Sequence, residues 1–230
     1  MALAVLALAM LLASGPGTRH GWWGWELGLD LVQWAFYAGA VAAVSSLALI
    51  LLLAFPRLRA RPWMPVLSLC LACAAIAPPL MLLSIAKSVP MIHDVTTDTA
   101  DPPAFVGLLE ERKKAPNGFA YAGESIAAQQ RKGYPDVKPL VLKSPPREAV
   151  QRAIDAARAM GWEVVSSDAP SGRVEATDTT TWFGFKDDIV IRVRAEGEGS
   201  RVDVRSVSRV GLSDLGANAK RIRGFLAKLA

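Results

Sequence analysis

The chain has 230 residues, 52% of them hydrophobic, and a mean hydropathy of +0.27, too apolar for an ordinary soluble protein of this size. Its charges are unevenly spread: residues 1–86 hold Arg19, Arg57, Arg59 and Arg61 against Glu26 and Asp30, four of the 26 basic and two of the 21 acidic residues. This pattern excludes a disordered chain and a collagen-like repeat and, with two cysteines, a disulfide-stapled miniprotein; it describes a membrane half followed by a water-soluble half.

The opening MALAVLALAMLLASG is apolar for about 14 residues before Gly15 and Pro16, short for a span and close in size to a signal-peptide core. It lacks the basic start of a signal peptide, which favours a short first span over residues 1–14. From Trp34 to Phe55 there is no charge, roughly 33 Å of helix and enough to cross a bilayer. Residues 64–86 form a third apolar segment of similar length, with Pro78 and Pro79 inside it, where a kink is expected. The connection PRLRARP carries Arg57, Arg59 and Arg61. Basic loops are retained in the cytoplasm, so the helix ending at Ala86 emerges on the far side and residues 87–230 face the periplasm or its equivalent. Trp22, Trp23, Trp25, Trp34 and Trp63 lie near the expected boundaries, where an indole prefers to sit. Cys70 and Cys73 have C-x-x-C spacing but lie mid-helix in apolar surroundings, which makes them packing residues and not a redox pair. The small residues Gly39, Ala43 and Ser46 recur at near-helical spacing and suit close helix packing, in this chain or in a larger assembly.

Residues 87–136 read as an irregular strap, polar and Pro-punctuated over MIHDVTTDTADPPAF, with a short helix over FVGLLEERKK. The pattern then sharpens into a domain over 137–230. VKPLVLK reads as a strand, Ser144 as the N-cap and Pro145 as the first residue of a helix closed by Gly161, with Val150, Ile154 and Ala157 on one face. Four strands follow, over WEVVSSD, GRVEATDT, DIVIRVRA and SRVDVRSVSRV. Ile189, Ile191 and Val193 alternate with Val190, Arg192 and Arg194, and Val202 and Val204 with Asp203 and Arg205, the pattern of an antiparallel sheet wet on one face. Ser213 is expected to cap a last helix with Leu215, Ile222, Phe225, Leu226 and Leu229 inside and Lys220, Arg221, Arg223 and Lys228 outside. The fold class is α+β, ordered β-α-β-β-β-β-α behind transmembrane helices, with two helices on one sheet face and the other open to a ligand or partner.

The strings PMIHDVTTDTADPPAF (residues 90–105), VEATDTTTWFGFKDDIVIRVR (174–194) and SRVDVRSVSRVGLSDLGANAKRIRGFL (200–226) are similar to the DUF1499 family of bacterial and plastid proteins, and the resemblance covers residues 88–229. It implies a domain that often follows membrane helices. The family is uncharacterised, so the resemblance supplies no catalytic residue.

Candidate chemistry is sparse. His93, Asp94, Asp98 and Asp101, with threonine hydroxyls between them, concentrate oxygen ligands just outside the membrane. Their spacing is not that of an EF-hand, and turn and cap formation accounts for them without a metal. One histidine and no cysteine in this half argue against zinc. Asp178, Asp187 and Asp188 flank TTTWFGFK, where two carboxylates brought together could share a proton or hold a cation. Strand alternation through that segment would put Phe183 and Phe185 on one face and Trp182 on the other, so that an aromatic reaches the open side of the sheet. The strings GESIA at 123–127 and SIAK at 84–87 approach hydrolase motifs without their companions. A net charge of +5 is spread among acids, which does not point to nucleic acid.

The function these features favour is non-catalytic. They describe an integral inner-membrane protein whose periplasmic domain binds an envelope protein or a lipid-like ligand through Trp182, Phe183 and Phe185, with His93, Asp94 and Asp98 as a second candidate contact. Membrane lipids are expected partners, and neither a cofactor nor a metal is expected. The alternative is a divalent-cation hydrolase built on Asp94, Asp98, Asp178 and Asp188, which requires those four side chains to converge.

Overall fold

The computed structural model describes every residue from 1 to 230 except 54 and 56–60, so Arg57 and Arg59 of the basic connection lie outside the described residues. The chain divides into two compact units: residues 1–85 with 181–184, and residues 86–180 with 185–230.

The first unit is helical: α1 (Ala2–Arg19), α2 (Trp25–Leu53) and α3 (Trp63–Ser88), the last running three residues into the second unit. All three are long and apolar enough to cross a membrane. Helix α1 continues past Gly15 and Pro16 to Arg19, and α3 is helical through Pro78 and Pro79. Helix α2 begins nine residues before the uncharged stretch, at Trp25, because Glu26 favours a helix N-terminus; Trp34 consequently lies within the helix. Small residues make the seams. Ala4, Ala42 and Ala72 are buried together with Ala43 against them, a Cβ on Gly39 would lie 3.0 Å from Ile76, and Ser46 Oγ donates to Ser68 Oγ at 2.8 Å. Gly39, Ala43 and Ser46 are therefore used for packing within the chain itself.

The second unit contains six antiparallel strands: β1 (Asp94–Thr96), β2 (Leu140–Leu142), β3 (Glu163–Asp168), β4 (Arg173–Thr179), β5 (Lys186–Glu196) and β6 (Gly199–Ser208). The sheet order is β1-β6-β5-β4-β3, with β2 pairing β6 as well. Strand β1 pairs with residues 205–207 and β2 with 200–202, so the two lie end to end on one edge of β6. The two-residue turn between β5 and β6 places Gly197 at φ +58°, a conformation that costs glycine little.

Helices α6 (Pro146–Ala159) and α7 (Ala217–Leu229) cover one face of this sheet. Val150, Ala153, Ala157, Ile222 and Phe225 are buried against Val174, Ile189, Ile191, Val202 and Val204, each large aliphatic contributing about 1.5–3 kcal/mol. Trp162 stacks on Phe225 with ring centres 5.3 Å apart. From residue 137 onward the order is β-α-β-β-β-β-α, as the hydrophobic periodicity indicates.

Both expected helix caps are displaced. Helix α6 begins at Pro146 behind Pro145, not at Pro145 behind Ser144. Helix α7 starts after Gly216, with the Asp214 carboxylate accepting from the backbone N–H groups of Gly216 and Asn218 at 2.8 and 2.9 Å. Ser213 instead accepts from Leu215 N–H, and Leu215 lies before the helix in a left-handed conformation. Burial pushes the Asp214 carboxyl above its ordinary pKa.

Segment 87–136 is more ordered than an irregular strap. It holds β1, α4 (Leu109–Lys114) and α5 (Glu124–Gly133). Gln130 of α5 fastens the edge strand, its side chain donating to Thr96 O at 2.6 Å and accepting from Thr96 N at 2.9 Å.

Candidate functional site

The second face of the sheet is not open. Residues 97–121 lie across it, and Phe105 and Leu108 bury themselves against Val190 and Val207. Strand alternation delivers Glu175, Asp188, Arg192, Asp203, Arg205 and Arg209 to this face. The expectation of a wet face fails because the acids and arginines of the strap and sheet neutralise one another.

Four groups of side chains form this layer. At the β1 end, Arg205 and Asp94, 3% and 2% exposed, make a two-pronged pair at 3.0 and 2.7 Å. The Arg205 guanidinium also lies over the rings of Phe105 and Tyr121, 5.4 and 5.5 Å from their centres, and donates to Pro103 O and Phe119 O. At the β4–β5 end, the Asp188 carboxylate accepts from Thr177 Oγ1 and twice from Arg209, each at 2.8 Å, and from Arg112 at 3.4 Å. Arg112, fully buried, donates also to Val207 O and Gly118 O. Burial holds its guanidinium below the ordinary value despite Asp188, whereas the hydrogen bond to Asp188 holds that of Arg209 above it.

At the opposite end, Asp98, Asp101 and Asp203 interleave with Arg192, Arg194 and Arg201 through contacts of 2.8–3.6 Å. Bonding to Asp203 raises the Arg201 guanidinium. Between these ends, Glu175 is fully buried, and its Oε1 accepts from the N–H groups of Val106 and Gly107 while its Oε2 accepts from Leu108.

Tyr121, beside this layer, has a buried hydroxyl with no hydrogen-bond partner among the described residues. Burial, aided by the Asp94 charge, pushes its pKa up to about 12. The neutral phenol is thus the form favoured by folding. Its contribution is fully present below the ordinary value of about 10 and is lost as pH rises through about 12. Alkaline titration followed by phenolate absorbance should show a step near 12 that Tyr121→Phe removes; a variant with an unchanged profile would contradict this placement.

The four carboxylates of the hydrolase reading do not converge. Asp94 goes to Arg205, Asp98 to Arg192 and Arg201, and Asp188 to Arg112 and Arg209. Asp178 is on the opposite, helix-covered face, where it pairs across strands with Asp187. Arg221 bridges these two at 2.8 and 2.6 Å. A guanidinium therefore sits where a shared proton or cation was envisaged, and Arg221, expected outside, is 8% exposed. His93 Nδ1 lies 3.4 Å from Leu212 O. Among the described residues, no three His, Cys, Asp or Glu side chains gather as a metal site would require.

The aromatic segment is a turn and not alternating strand. Residues 180–185 lie between β4 and β5, with Gly184 at φ +71° and Thr180 paired to Phe185 through N–H donation at 2.8 Å. Alternation is lost here because the chain reverses. Within the helical unit, which includes residues 181–184, a Cβ on Gly15 of α1 would collide with the Trp182 indole, and one on Gly28 of α2 would lie 3.2 Å from Phe183. Arg19 donates to Thr181 O at 2.7 Å. Trp182 keeps 45% of its surface exposed, and Phe183 and Phe185 are half-buried. Gly15→Leu is expected to destabilise the protein by about 1–3 kcal/mol through overpacking. In a Trp182→Ala background most of that cost should vanish in thermal unfolding; an equal cost in both backgrounds would contradict the contact.

Sequence reasoning missed Arg112, Glu175, Arg205, Arg209 and Arg221. The available signal was a run of acids and arginines on one strand face, matched by Asp94, Asp98, Asp101 and Arg112 upstream.

A comparison with curated proteins finds no match. The family model described as a protein of unknown function, DUF1499, matches residues 94–229, more than half of the chain and inclusive of both layers that cover the sheet. On that match the protein belongs to the DUF1499 family.

Proposed function

We propose that this is an inner-membrane protein whose DUF1499 domain stands on the periplasmic side and works as a non-catalytic binding module for a lipid-like ligand or an envelope protein met at the bilayer surface. The reading rests chiefly on the short connection: α3, long and apolar enough to span, ends at Ser88, and β1 begins at Asp94. Five residues reach at most about 17 Å, a short tether that favours a ligand or partner met near the membrane. The basic loop carrying Arg57, Arg59 and Arg61 supports the sidedness. The engagement of Asp94, Asp98, Asp178 and Asp188 by separate arginines supports binding over carboxylate catalysis. Of the three aromatics proposed as contacts, Trp182 is the most exposed, at 45% of its surface, whereas Phe183 and Phe185 are half-buried.

Purification of the full chain from native membranes in mild detergent, followed by mass spectrometry of protein and lipid, tests this. A lipid class or protein retained reproducibly, and reduced by Trp182→Ala, is expected. A chain that emerges bare, and turns over ester substrates in a manner abolished by Asp98→Asn, would overturn it.

A further inference from the structure

We propose that the cavity formed by the end of α3 and the end of α5 binds a phosphoryl-bearing anion, with the head group of an anionic phospholipid as the source present at that depth. The inference rests on the binding-module reading and names its ligand class. The cavity has a volume of about 430 Å³, and Lys87, Ser88, Gln129 and Lys132 supply its polar lining.

Lys87 occupies the last turn of a helix long enough to span the membrane, the position from which a lysine stem extends an ammonium toward head groups. Lys132 comes from α5. It is brought alongside because the neighbouring residue is Gly133, where a Cβ would collide with the Pro90 ring. The two ammoniums share one cavity, and neither has an acidic partner among the described residues. On the same helix Arg131 pairs with Glu124, and nearby Arg223 pairs with Asp136, so the acids of this neighbourhood are engaged by other cations. Two unneutralised ammoniums beside a carboxamide suit a phosphate, which accepts charge-assisted bonds through several oxygens. The Gln129 carboxamide donates one hydrogen to Ser125 O at 3.1 Å and retains a second. Anionic head groups add attraction for each nearby lysine.

The full chain in mild detergent is titrated with phosphatidylglycerol and with phosphatidylcholine by native mass spectrometry, and separately with inorganic phosphate by equilibrium dialysis. Phosphatidylglycerol should be retained over phosphatidylcholine, and Lys87→Gln with Lys132→Gln should weaken its retention roughly thirtyfold. The arginine pair Lys87→Arg with Lys132→Arg should preserve it, as should the charge-matched control Lys143→Gln with Lys228→Gln. Inorganic phosphate binding that also depends on the two lysines would identify a free phosphoryl anion as sufficient; binding of the lipid alone would identify the head group in its bilayer setting. Equal retention of the two lipids, or a glutamine variant that is folded by its melting transition and matches wild type, would overturn the proposal. Failure of the sidedness reading looks different, because a domain found in the cytosol would leave the lysine-dependent lipid preference intact.

Discussion

Replacing Arg205 by alanine is expected to lower the stability of the domain by about 3–5 kcal/mol, the usual cost of leaving one member of a buried ion pair without its counter-charge. Asp94 is 2% exposed, and both its oxygens are held by Arg205. The same substitution removes the cation from between Phe105 and Tyr121 and leaves the carbonyls of Pro103 and Phe119 without their donor. For a unit of this size the melting transition should fall by roughly 10 °C. Charge, and not bulk, is the main reason. Asp94→Asn combined with Arg205→Met should therefore cost less than Arg205→Ala alone, because no ion is left buried. If Arg205→Ala shifts stability by less than about 1 kcal/mol, the pair does not hold the strap as described.

Glu175→Ala is the second large effect, about 2–4 kcal/mol, and acts through backbone groups. Three consecutive N–H groups, from Val106 to Leu108, converge on the one carboxylate at 2.8–3.0 Å. Without it the Leu108 N–H is stranded in a buried layer, at about 1–3 kcal/mol for an unsatisfied donor, while the N–H groups of the exposed Val106 and Gly107 lose a charge-assisted acceptor. The close approach also explains Gly107, where a Cβ would lie 2.6 Å from Ser166. Glu175→Gln keeps one acceptor oxygen but turns an N–H₂ group toward the remaining donor, and should recover only part of the loss. Hydrogen exchange reads this locally: the amides of residues 106–108 should be protected in the native protein and lose protection in Glu175→Ala. Protection that survives the substitution would show that the strap is held by other means.

The elements with a clear hydrophobic period were legible from sequence. Ile189, Ile191 and Val193, with Val202 and Val204, specify strands and their inward face, and Val150, Ile154 and Ala157 specify the face of α6. The three helices long and apolar enough to cross a membrane were legible from length and apolarity, although α2 started earlier than the uncharged stretch because an acidic first turn is favourable at a helix N-terminus.

The opposite sheet face was not legible, for an identifiable physical reason. Arginine and aspartate at alternating strand positions carry the same signature whether they face water or one another, and only tertiary contact distinguishes the two. Arg192, Arg205 and Asp203 read as ordinary surface, whereas Asp94, Asp98 and Asp101 read as a loop rich in oxygen ligands. Together they make a neutralised layer. The turn at Trp182 was misread because period-two alternation was carried through Gly184, whose left-handed backbone reverses the chain. Of the candidate contacts, Asp94 and Asp98 belong to the strap lock, Trp182 and Phe183 fall in the turn, and His93 lies beside Leu212.

The proposed export of the residues after α3 is read out by a fusion of alkaline phosphatase after Ala230, since that enzyme is active only once exported. An active phosphatase and a dark green fluorescent protein at the same position are expected. A silent phosphatase together with a fluorescent partner fusion would place the domain in the cytosol and contradict it.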